Sequence, residues 1–101
     1  MTLNEFIEKF NLSGQVSLTD TEFNELKEIA LSRFSLSLGY DYPQTPTPLE
    51  KEILGHFILI EVLKKYQYLF SENSQKVSIK KATENLERLI WQQKTLRTRT
   101  N

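Results

Sequence analysis

Residues 48–69 constrain this chain more than any other segment. Read as a helix at 100° per residue, Leu49, Ile53, Leu54, Ile58, Leu59, Ile60, Val62, Leu63, Tyr66 and Leu69 cover most of its circumference. Only a narrow strip holding Glu50, Glu61, Lys64 and Lys65 is polar. A helix apolar nearly all round is buried on more than one side. With 101 residues the chain has room for one domain and one core. Its other helices are therefore expected to leave part of this helix bare, for another subunit to cover. The run 57–63 alone also suits a buried strand, but its length and the cap before it favour helix.

That cap is Thr47 with Glu50, spaced so that each satisfies an orphan amide of the first turn, and Pro48 fits the first helical position. Thr19 with Glu22 and Thr2 with Glu5 repeat the spacing. They open helices predicted over 20–38 and 3–10. The first of these carries a core line of Phe23, Leu26, Ala30 and Phe34, widened by Ile29, Leu31, Leu36 and Leu38, and ends at a left-handed Gly39. The second carries Leu3, Phe6, Ile7 and Phe10 as one stripe. Pro43, Pro46 and Pro48 make 40–48 an extended, stiff loop. After a polar loop at 71–75, a last helix is predicted over 78–96 on Ile79, Ala82, Leu86, Leu89, Ile90 and Leu96. The expected fold is all-α, a four-helix single domain over 1–96. Residues 97–101 lack apolar periodicity and are expected to form a flexible basic tail.

Several chemistries have no foothold. There is no cysteine for a disulfide framework or a Cys zinc site, and His56 is the single imidazole. Glu52 lies one turn before His56, but no matched nucleophile accompanies the pair, so a local polar contact is expected. Glu22, Glu25 and Glu28 share a surface without a nearby His or a calcium loop and read as a solvated face. The three glycines are too far apart to cradle a phosphate. No catalytic residue, cofactor or metal is expected. The start of the chain does not read as a signal peptide. The most apolar stretch, 53–63, is shorter than the roughly 20 residues a membrane span needs. A soluble protein made in the cytoplasm, with no membrane partner, is expected.

Thirteen basic residues balance thirteen acidic ones, but not locally. Residues 1–63 hold four basic and ten acidic groups, a balance of −6; residues 64–101 hold nine and three, a balance of +6. Such asymmetry hints at charged partners. The basic part suits nucleic-acid phosphate, through Lys76, Lys80, Lys81, Arg88, Lys94, Arg97 and Arg99, or an acidic protein surface. An ordinary solvated end is the plain alternative. Trp91 falls opposite the apolar arc of its helix, beside Glu84, Glu87 and Arg88, and suits a partner contact. Arg33 falls inside the apolar arc of 20–38, either snorkelling to water or pairing across an interface.

The order of these pieces resembles the small all-helical head–tail connector (adaptor) proteins of tailed bacteriophages. The resemblance rests on Met1-Thr2-Leu3, the line Phe23–Leu26–Ala30–Phe34, Leu38-Gly39, the loop 43–48, the apolar helix 49–69 and the last helix 79–96. It departs at Lys64-Lys65-Tyr66, where members often carry an Arg. The resemblance implies a virion structural protein of the neck, assembled in the bacterial host cytoplasm. It implies a ring homo-oligomer, dodecameric, beneath the portal protein, which extends the DNA channel without sequence-specific binding and offers a platform to a tail or stopper protein. Separated charge suits head-to-tail contacts that close into a ring. The residues expected at interfaces are Arg33, Phe57, Arg88, Trp91, Lys94, Arg97 and Arg99. The alternative is a small helical nucleic-acid-binding or regulatory protein, or a generic helical partner-binding protein of a bacterial host.

Overall fold

The first three helices of the protein each begin where a threonine hydroxyl can replace the missing turn. In the computed structural model, which describes residues 1–12, 17–66 and 72–100 (side chains of the last helix over 79–97), four helices run in sequence. They are α1 (Leu3–Lys9), α2 (Asp20–Leu38), α3 (Pro48–Lys65) and α4 (Glu72–Thr100). Thr2 Oγ1 accepts the Glu5 amide at 3.2 Å. At α2 and α3 the capping box is complete: Thr19 pairs with Glu22 and Thr47 with Glu50, each through side chain and backbone. Gly39 ends α2 at φ +81°, its amide bonded to Ser35 O at 2.8 Å, a conformation that favours glycine.

The result is an all-α single domain with α3 at its centre. α3 packs against both α2 and α4, whereas α2 and α4 meet only sparingly. Phe23, Leu26, Ala30 and Phe34 of α2 meet Ile53, Leu54, Ile58 and Val62 of α3, with Leu86 of α4 closing the core. α1 lies over the middle of α3, where Gly55 has no side chain to hold it off. A Cβ there would stand 3.3 Å from Met1 Cε and 3.4 Å from the Phe10 ring. Phe6 fills the space behind, 5.2 Å from Phe10 and 5.6 Å from Phe23 between ring centres. The stiff loop folds back over α2, and Tyr40 and Tyr42 stand edge-on to Phe34 at 5.5 and 5.1 Å.

The apolar circumference of α3 is therefore covered mostly by the chain itself. α1, α2, α4 and the proline loop together leave Ile53, Leu54 and Ile58 fully buried. Phe57, expected at an interface, is 7% exposed and belongs to this core, so the expected need for a second subunit over α3 does not hold. Two other expectations change at α4. The loop foreseen at 71–75 is helical from Glu72, and no Gly or Pro follows Gly55 to interrupt it. Residues 97–100, foreseen as part of a basic tail without periodicity, continue the helix to Thr100, and the Arg97 guanidinium makes a contact that apolar periodicity does not register, 3.8 Å over the Tyr40 ring. The first helix ends at Lys9 and α3 at Lys65, capped by Tyr66. The remainder of the predicted 48–69 helix lies outside the described residues. Ile29 and Leu36, expected to widen the core line, are 43% and 85% exposed.

Among the described residues, no helix is long and apolar enough to cross a membrane.

Candidate interaction surface

The end of α4 is fixed to the start of α3 by a buried polar chain. Gln93 Nε2 donates to Tyr40 Oη at 2.8 Å, and Tyr40 donates to Glu50 Oε2 at 2.8 Å. Glu50 Oε1 accepts the Thr47 amide at 2.8 Å. Glu50 and Gln93 are both buried, and such groups persist only when bonded. Burial pushes the Glu50 carboxyl up. The Thr47 amide, the Tyr40 hydroxyl and the Thr47 hydroxyl outweigh it, and with Arg97 they leave the group below its ordinary value. Burial, then the bond to Glu50, raises the Tyr40 phenol.

This polar chain holds up a shallow apolar groove. Leu49, just inside α3, faces Trp91, Thr95 and Leu96 of α4, and the groove runs on over Pro48 towards Arg97. Trp91 is 67% exposed and Leu96 50% exposed. Thr95 Oγ1 donates back to Trp91 O at 2.9 Å. A Trp offered to water on the outer side of a helix, as the sequence predicts, is a residue type enriched at interface anchors. Arg88 and Lys94 stand exposed one turn either side of Trp91, and Arg88 donates weakly to Asn85 Oδ1 at 3.5 Å.

A second apolar pair lies on α2. Ile29 and Leu36 are seven residues apart and share the outer stripe with Glu25 and Ser32, while Glu28 is exposed beside them. Among the described residues, Ile29, Leu36, Trp91 and Leu96 are the exposed large hydrophobic side chains. They fall two and two on helices that flank α3. The charge split of the sequence follows the same division. α2 carries Asp20, Glu22, Glu25 and Glu28 against Lys27 and Arg33, while basic residues predominate on α4.

Arg33 and Arg97 have partners within the chain. Arg33 Nε faces Glu61 Oε1 of α3 at 3.0 Å, so its pairing is across two helices of one chain, with half of the side chain left exposed. Arg97 sits on Tyr40, and the side chain of Arg99 lies outside the described residues, as does that of Lys76. His56 Nδ1 lies 2.8 Å from the backbone oxygen of Glu52 and 3.9 Å from its carboxylate, with the ring edge-on to Phe10. Glu52 itself is ion-paired with Lys9. Glu22 takes Lys65 at 2.8 Å, and no three acidic or imidazole groups among the described residues are placed to hold a metal.

Gln93 and Tyr40 escaped the sequence reading. A signal existed for Gln93, which falls seven residues after Leu86, in the middle of the apolar arc of α4. A polar residue on such an arc points to a buried bond. Tyr40 carried no comparable signal.

The chain matches no known family model, no curated protein and no solved structure.

Proposed function

We propose that this chain is a structural head–tail connector of a bacteriophage, forming a ring beneath the portal protein in the neck of the virion. In this role it extends the channel through which DNA passes and presents a platform to a tail or stopper protein, with no catalytic chemistry and no membrane partner. The observation that carries the proposal is Trp91, held outward over a groove whose floor is fixed by the Tyr40–Glu50–Gln93 chain. Ordered apolar surface of this kind suits a protein whose task is to be held by neighbours. The element order of the resemblance and the division of charge between α2 and α4 support it further.

Electron microscopy of assembled particles with labelled protein tests the proposal. Density at the neck is expected; labelled protein found only elsewhere in the particle, or outside it, sinks the connector role.

The second reading, a nucleic-acid-binding protein, draws support from exposed Lys80, Lys81, Arg88 and Lys94. Glu84 and Glu87 interrupt that row, which favours protein over phosphate as its partner. Affinity for DNA that falls steeply with salt would reverse the preference.

A further inference from the structure

We infer that residues 1–12, α1 with its cap, form a strap that opens as one unit from a body of α2, α3 and α4 that stays folded. The inference is independent of the connector proposal and goes beyond it. Three observations carry it. The first is that the strap closes on itself. The Asn11 amide bonds to Glu8 O at 3.3 Å and the Leu12 amide to Ile7 O at 3.0 Å, across a left-handed Asn11 at φ +54°. These are the paired bonds of a Schellman motif, so the backbone of the cap is bonded to α1. The second is that the body keeps a core of its own. Phe23, Leu26, Ala30 and Phe34 of α2, Ile53, Leu54, Ile58 and Val62 of α3, and Leu86 of α4 all belong to it. The caps at Thr19 and Thr47 lie within it too.

The third is the seam, which is made of side chains. α2 and α4 run along α3, whereas the backbone of α1 meets its neighbours only at isolated points. Phe6 is the buried side chain of α1, set against Phe10 and Phe23, while Leu3, Ile7 and Phe10 are half-buried. Polar ties across the seam include Lys9–Glu52, with both side chains partly exposed, and Lys27 Nζ donating to Met1 O at 3.2 Å. A salt bridge so placed adds little. A seven-residue helix is too short to persist alone, so α1 is helical only while seated. Release returns the conformational freedom of the whole strap. Segments held by few buried contacts are those that open below the global limit. Opening bares Phe23 and the strip of α3 around Gly55, an apolar seat that the closed protein hides and whose occupant is α1 itself.

Native-state hydrogen exchange of the full chain tests this, with two substitutions that weaken the body alone. Phe34→Leu lies about three turns along α2 from Phe23, beside Tyr40 and Tyr42. Ala82→Gly lies in α4 and is the milder change. Either one eases global unfolding but leaves strap opening as it was, because the body is folded both before and after the strap opens. In the unaltered chain, the amides of residues 6–12 are expected to share one protection factor, lower than that of residues 54–62. In the variants, the amides of residues 54–62 are expected to exchange about five- to thirty-fold faster, while those of residues 6–12 keep their rates. Equal acceleration of both sets overturns the inference. So does equal protection of both sets in the unaltered chain, or protection graded from residue to residue along the strap, which is fraying.

Discussion

The guanidinium of Arg97 lies over the ring of Tyr40, 3.8 Å from its centre, while the hydroxyl of the same ring donates to Glu50. One tyrosine thus ties the last turns of α4 to the first turn of α3. Arg97→Ala removes the cation from that ring, worth about 0.5–1 kcal/mol at a partly exposed site. For a chain of this size, a fall in melting temperature of roughly 2–8 °C is expected. Removing residues 98–101 alone leaves Arg97 in place and is expected to change melting little. Thermal melts of the two variants side by side check the order.

Glu50 makes stability depend on acidity in a stated direction. Its folded carboxyl titrates below the unfolded value of about 4.3. Its contribution is complete above that unfolded value and is lost as pH falls through the folded one. Glu22 acts with the same sign, its carboxyl held low by the Lys65 hydrogen bond first and then by Thr19. Glu50→Gln is expected to flatten the acid limb of the stability curve, measured as urea midpoints from neutrality down to the carboxylate range. An acid limb unchanged in Glu50→Gln would contradict this placement. Glu50→Ala is harsher, because it leaves the Tyr40 hydroxyl and the Thr47 amide without their acceptor, at about 1–3 kcal/mol for each group that stays dry.

Trp91 and Phe57 separate association from folding. Trp91→Ala removes an exposed ring and is expected to move monomer stability by no more than about 0.5 kcal/mol, while association between copies falls. Phe57→Ala opens a cavity in the core and is expected to cost about 3–5 kcal/mol. Denaturant unfolding of both variants, with sedimentation alongside, distinguishes them. A large loss of monomer stability in Trp91→Ala would mean that the ring is part of the core.

Gly55 offers a graded test of the α1–α3 contact. A methyl group there meets the flexible end of Met1 at 3.3 Å and the Phe10 ring at 3.4 Å. Small shifts relieve that crowding, and alanine gains up to about 1 kcal/mol of helix propensity over glycine. Gly55→Ala is expected to be neutral or mildly stabilising. Gly55→Leu cannot be accommodated and is expected to lift α1 off α3, seen as rapid amide exchange over residues 3–9.

The parts of the fold legible in the sequence were those written in local chemistry. Thr19 with Glu22, Thr47 with Glu50 and the left-handed Gly39 set the starts of two helices and the end of one, and all three lie where their spacing places them. Trp91 faces outward, as its position on the helix requires. What periodicity missed depends on contacts distant in sequence. Leu36 looks like core because it follows the apolar line of α2, yet among the described residues no element covers that side, and it is 85% exposed. Phe57 looks like surplus surface until the other elements are folded against α3 into one core. Arg97 looks like tail until Tyr40, 57 residues earlier, is brought beneath it. The Gln93–Tyr40 bond spans 53 residues and is invisible to any local pattern.

The central position of α3 also has a mechanical meaning. Because α2 and α4 meet only sparingly, a pull applied between their outer faces passes mainly through the side chains that α3 inserts on both sides, with Arg33–Glu61 and Lys65–Glu22 as polar ties at the α2 seam and Tyr40, bonded to Gln93 and beneath Arg97, as a side route. The helix that is most apolar in sequence is thus the member through which tension or shear mainly passes.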